Sequence, residues 1–159
     1  MDKNFSRVPS DIFPPGVCEL IVTYKKKKEK REPIVSSIDA SNFAHTHLYS
    51  EGMIEYAEYF YILLLDRVNR LFAYKQISQG GLAGTVVDPK LIFQTALLCH
   101  ASSIIMIHNH PSGSLKPSEH DIQLTKKIAE AGKVLEIAVL DHLIVSTEGY
   151  YSFADEGFI

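Results

Sequence analysis

Apolar positions along the chain fall into short blocks separated by polar or glycine-rich breaks, and the spacing within each block predicts its form. Residues 59–66, YFYILLLD, are almost unbroken apolar. That pattern predicts a strand buried on both faces. Arg67-Val68-Asn69 reads as a turn and 70–78 as a second, antiparallel strand. VCELIVTY (17–24) has strand composition. A helix is predicted over 37–57, with Ser37 or Asp39 as its cap. Asp88 before Pro89 marks the start of a second helix, 88–101. Its apolar residues wrap most of the circumference, which predicts deep packing. SSIIMI (102–107) is a buried strand, and 118–132 a helix capped by Ser118 and ended by Gly132. Two further strands, 134–140 and 142–147, flank Asp141, and the tail after them reads as turns. Alternating strands and helices of this kind make an α/β domain with a mixed β-sheet flanked by helices.

Composition narrows this picture. With 159 residues, 46% of them hydrophobic, the chain fills one core. Residues 1–16, with three prolines and a glycine, read as an N-terminal arm, and 17–159 as a single domain. A net charge of −3 excludes a basic protein that coats nucleic acid. Cys18 and Cys99 are far apart and suit a reducing cytoplasm better than a disulfide scaffold. No apolar run approaches the ~18 residues of a membrane helix, and the first residues lack a signal-peptide core. The expected location is therefore the cytoplasm, with no membrane partner. KKKKEKRE (25–32) is the one basic cluster. Lys25, Lys26, Lys27 and Lys28 either contact nucleic acid or protect an exposed strand edge, and the acidic net charge favours the edge. The glycine-rich QGGLAG (79–84) lacks the Lys-Ser/Thr ending of a phosphate cradle, so its glycines are expected to serve backbone angles that other residues resist.

The chemistry concentrates in IIMIHNHPSGSLKPSEHD (104–121). Side chains alternate along a strand, so His108 and His110 share a side and can grip one ion. Pro111-Ser112-Gly113 turns the chain back, and the helix after the loop carries Asp121 in its first turn. Two imidazoles and one carboxylate leave a fourth position open to water, the pattern of a catalytic zinc site. A plainer reading stands beside it: Ser118-x-x-Asp121 is close to a capping box, which makes Asp121 a helix-start residue and the histidines ordinary polar residues at a strand end. The other His-x-His pair, His45 and His47, falls in a predicted helix, where residues two apart diverge. His142, beside Asp141, reads as an ordinary strand residue rather than as a partner of a metal ligand.

His108-x-His110-x10-Asp121, with Ser118 three residues before the aspartate, resembles the JAMM signature of JAB/MPN-domain metalloproteases. HNHPSGSLKPSEHD resembles the RadC branch of that family, as do LLLD (63–66), GTVVDPKLIF (84–93) and VLDHLIV (139–145). The likeness spans roughly residues 37 to 155. It implies the JAB/MPN (cytidine-deaminase-like) fold, zinc on His108, His110 and Asp121, and hydrolysis of a peptide or isopeptide bond in a peptide or protein substrate. It also implies a glutamate before the first core strand as general base; Glu58 matches best and Glu55 is the alternative. Ser118 is then the donor to the oxyanion. Ser114 stands where the branch usually has an acid, and the chain has no room for the helix-hairpin-helix module of longer RadC proteins. The competing functions are a catalytically inactive JAB-like binding module and a DNA-processing accessory protein working through the lysine run.

Overall fold

The computed structural model describes residues 33–50, 52–81 and 84–159. The predicted arm, the strand 17–24 and the lysine run lie outside the described residues. Five strands form one mixed sheet in the order β2-β1-β3-β4-β5. They are β1 (Tyr59–Leu65), β2 (Leu71–Gln79), β3 (Ser103–Asn109), β4 (Ala138–Ser146) and β5 (Gly149–Ser152). β1 pairs antiparallel with both β2 and β3, β3 runs parallel to β4, and β5 returns antiparallel on β4. A parallel pair needs a crossover, which α4 (Glu119–Val134) supplies between β3 and β4. α3 (Pro89–Leu98) joins β2 to β3.

Every residue of β1 and β3 is buried, as the continuous apolar runs predict. Alternation sends Phe60, Ile62, Leu64, Ile104 and Met106 toward Ile92 and Phe93 of α3 and Leu124 and Ile128 of α4. Tyr61, Leu63, Leu65, Ile105 and Ile107 face the other way. They pack with Ala40 of α1 (Ser37–Phe43) and with Ala44 and Leu48 of the π-helical turn that follows it.

Several boundaries depart from the sequence reading. The helix expected over 37–57 is three pieces: α1, the π turn Ala44–Leu48, and after an extended Tyr49 the short α2 (Met53–Tyr56). Its N-cap is Ser36, neither Ser37 nor Asp39. Asp39 instead closes a capping box from the third helical position. His45 lies in the π turn with ring nitrogens 2.8 Å from Ser41 O and 2.9 Å from Ser146 O, which ties the turn to β4. α3 starts at Pro89 with Asp88 as cap, but only Ile92, Phe93 and Ala96 are buried. Leu91, Leu97 and Leu98 face out, so the helix lies on the surface of the sheet rather than within it.

Asp141 does not separate two strands. It sits inside β4 at a bulge, where the register jumps from Ile104↔Val139 to Ile105↔Asp141. Its carboxylate accepts from His142 N, Ser152 Oγ and Ala154 N at 2.7, 2.6 and 3.0 Å. Those three donors give a buried acid partners in a strand. Ser152 belongs to β5, so the tail read as turns also completes the sheet. Gly132 is not the end of α4. The helix runs on to Val134, and Glu136, in the left-handed region at φ 55°, makes the turn into β4.

The glycine is there for space: a Cβ at 132 would lie 2.5 Å from Ile137 O. Gly132→Ala is therefore expected to lower stability by roughly 1–3 kcal/mol through the clash, although alanine is intrinsically the better helix former by ~1 kcal/mol. Urea unfolding checks the sign, and a stabilised variant would disprove the close approach.

Candidate metal centre

β3 ends in His108 and Asn109, and His110 follows directly. His108 and Asn109 are buried and His110 half-buried. The chain turns at Pro111–Gly113, where Gly113 adopts φ 78° and donates its N–H to His110 O. A short loop then reaches Ser118, the N-cap of α4, and Asp121 in the first helical turn. The strand end and the helix start thus meet at one point.

His108 Nε2 and His110 Nε2 lie 3.0 Å apart. His108 Nε2 is 3.3 Å from Asp121 Oδ1, and His110 Nε2 is 3.6 Å from Asp121 Oδ2. Ligands held ~2.0–2.1 Å from a tetrahedral zinc are about 3.3 Å apart, so this spacing fits such an ion. The donor chemistry fits as well. His110 Nδ1 donates to Ser114 O at 2.7 Å, so Nε2 is the nitrogen turned to its neighbours. Among the described residues, these three form the one group of His, Cys, Asp or Glu side chains close enough to hold a metal. Among the described residues, His45 and His47 belong to no such group.

The electrostatics point the same way. Burial opposes the charge on Asp121, but the facing His108 and His110 rings and the Ser118 hydroxyl outweigh it and hold the carboxyl far below its ordinary range. The Asp121 hydrogen bond raises the His110 pKa against the effect of burial. The cluster favours a positive charge at its centre.

Ser118 and Asp121 also make the full capping box: Asp121 N donates to Ser118 Oγ at 3.1 Å and Ser118 N donates to Asp121 Oδ2 at 2.8 Å. The aspartate that makes the helix start is therefore also one of the three side chains that could hold a metal. The single hydroxyl proton of Ser118 goes to Asp121 Oδ2 at 2.6 Å.

Glu58 lies just before β1. The pairing Phe60↔His108, continued by two residues, sets Glu58 opposite His110. Both line a cleft of about 760 Å³ with Ser118, Asp121, Thr85 and Val86. Burial raises the Glu58 pKa, and the two histidines pull it back down. Glu55 is exposed on α2 and is not part of the cleft wall. From the glycine-rich loop, Gly81 and Gly84 complete that wall. Gly84, at φ 142°, adopts an angle that other residues resist, as read from the sequence, whereas Gly80 passes so close to Gly84 that no Cβ fits there.

Thr125 and Asn109 were not singled out by pattern, and His142, read as an ordinary strand residue, proves to be a partner of His108. His142 is wholly buried and its Nε2 lies 2.9 Å from His108 Nδ1, a contact its place in an apolar strand does not signal. Thr125 Oγ1 lies 2.6 Å from His142 Nδ1. Asn109 points to the opposite side of β3 from the histidines. It accepts from Tyr59 N at 2.8 Å and donates to Ile54 O and Ala57 O, both at 2.7 Å. Its position between two ligand candidates was the available signal, since a buried amide at a strand end must bind backbone.

A mixed five-stranded sheet flanked by helices, with two histidines and an aspartate gathered at one strand end, defines an α/β domain of the JAB type. A sequence model of the RadC-like JAB domain matches residues 34–158, and the chain belongs to that family. A UPF0758 protein of Flavobacterium johnsoniae is 49% identical over 128 residues, covering 80% of this chain and 54% of that protein. One of Syntrophomonas wolfei is 40% identical over 127 residues, 79% and 54% of the two chains. One of Methanosarcina mazei is 38% identical over 122 residues, 77% and 53%. The chain thus matches about half the length of these curated relatives. No helix among the described residues is long and apolar enough to cross a membrane.

Proposed function

We propose that the domain is a zinc-dependent hydrolase of the JAMM type that cleaves an amide or isopeptide bond in a peptide or protein. The convergence of His108, His110 and Asp121 beside Glu58 carries this reading. A bound zinc ion supplies Lewis acidity and lowers the pKa of water to about 7. Glu58, half-buried at the cleft wall, takes the proton of the attacking water and returns it to the leaving amine. Ser118 turns its hydroxyl proton from Asp121 into the cleft to meet the developing oxyanion, a contact worth about 3 kcal/mol in comparable sites. The Ser114 carbonyl, accepting from His110 Nδ1, keeps that ring turned toward Asp121.

Metal content by elemental mass spectrometry is the test. About one zinc per chain is expected in the purified protein, with none in His108→Ala/His110→Ala. A panel of fluorogenic amide and isopeptide substrates then identifies the bond. A chain that retains no zinc after zinc is added back would refute the hydrolase reading and leave Asp121 as a helix cap in a binding module.

A further inference from the structure

Behind His108, away from the cleft, stand two side chains that the proposed chemistry does not use. Thr125 in α4 is 1% exposed and His142 in β4 is 0% exposed, as buried as His108 at 1%. Their polar atoms form an unbroken chain. Thr125 Oγ1 lies 2.6 Å from the Asp121 backbone carbonyl and 2.6 Å from His142 Nδ1. His142 Nε2 lies 2.9 Å from His108 Nδ1.

The carbonyl at one end sets the direction of the whole chain, because it can only accept. Thr125 has one hydroxyl proton, and that proton goes to Asp121 O. Were it turned toward His142, two oxygens would face each other at 2.6 Å with nothing between them. Thr125 Oγ1 must then accept from His142, which puts the His142 proton on Nδ1 and leaves Nε2 bare. A bare Nε2 accepts in turn from His108, which puts the His108 proton on Nδ1. The nitrogen of His108 that faces His110 and Asp121 is then an unprotonated lone pair.

We propose that Thr125 and His142 are positioning residues that hold His108 in the Nδ1–H tautomer, so that its bare Nε2 is presented to zinc. This rests on the zinc reading above and deepens it. The chain begins at the backbone of Asp121, so one residue supplies both a ligand carboxylate and the anchor that orients its neighbour's ring. The surroundings keep the chain intact. Phe153 stacks on His142 at 4.9 Å with 12° between the rings, and Phe60 closes the other approach at 5.5 Å. His142 is wholly buried between these two apolar rings, an enclosure that disfavours a second, charge-bearing proton on the imidazole. The reversed chain would put the His108 proton on Nε2, where it blocks the ion.

The test uses the full chain and zinc alone. Nitrogen-15 NMR of the histidine rings in the metal-free protein, at about pH 8 where free imidazole is neutral, reads the tautomer directly. His108 is expected with its proton on Nδ1. Competition with a chromophoric chelator then gives zinc affinity. Thr125→Val, which keeps the shape and loses the hydroxyl, is expected to weaken zinc about 10- to 100-fold, and Thr125→Ser to restore it. A proton on Nε2 of His108 in the wild type would overturn the proposal, and so would zinc affinity in a folded Thr125→Val equal to wild type. Should that variant not fold, the wild-type tautomer still decides. A chain with the expected tautomer that never retains zinc would overturn the zinc reading and leave the tautomer assignment standing.

Discussion

Glu58→Gln is expected to reduce turnover about 10²- to 10⁴-fold, the usual contribution of a positioned general base, while zinc content stays unchanged. The amide keeps the size of the carboxylate and cannot take a proton. Glu58 is not one of the three converging side chains, so its loss leaves the ligand set whole. Its environment suits the role: burial and the pull of His108 and His110 act on its basicity in opposite senses. Glu55→Gln makes the control, because Glu55 is exposed on α2 away from the cleft wall. The measurement is kcat on whichever fluorogenic amide or isopeptide the wild type cleaves. Undiminished kcat in Glu58→Gln would remove Glu58 from the mechanism, and a selective loss in Glu55→Gln would move the base to α2.

Asn109→Ala is expected to destabilise the fold by roughly 3 kcal/mol or more. Each buried polar group left without a partner costs ~1–3 kcal/mol, and the substitution strands three backbone groups, on Ile54, Ala57 and Tyr59. The site is fully enclosed, with Asn109 at 0% exposure. The same fork fixes the segment from α2 into β1, and Glu58 lies between two of its attachment points. Activity should therefore fall further than zinc affinity. Asn109→Asp is no rescue, since a carboxylate accepts from Tyr59 N but repels the two carbonyls. Urea unfolding of both variants is the check. An Ala variant within ~1 kcal/mol of wild type would mean that the segment is held by its packing and not by the amide.

The two variants also mark what the sequence could disclose. The metal ligand candidates were legible because their geometry is local: strand alternation pairs His108 with His110, and a cap position places Asp121. The strands of the core were legible as apolar runs, and α3 by its Asp-Pro start. What was not legible depended on distant partners. Asp141 reads as a strand break until Ser152 and Ala154 are seen to satisfy it. Gly132 reads as a helix stop until the return of the chain at Ile137 is seen against it. His142 meets His108 only through the register of β3 on β4, and Thr125 meets His142 only through the packing of α4 on the sheet. Glu58 is intermediate: its position before β1 is visible in the sequence, but its choice over Glu55 rests on the cleft.

The apolar clusters on the two faces of the sheet draw on neither Glu58 nor His110. Both side chains stand at the rim, where replacing either opens no hole in the interior. The architecture can therefore outlive its chemistry. A gene copy that lost Glu58 would still encode a well-packed domain with an intact cleft, and selection could keep that shape for binding alone. Descendants of this fold that bind without the proposed hydrolysis are a natural product of how it is built.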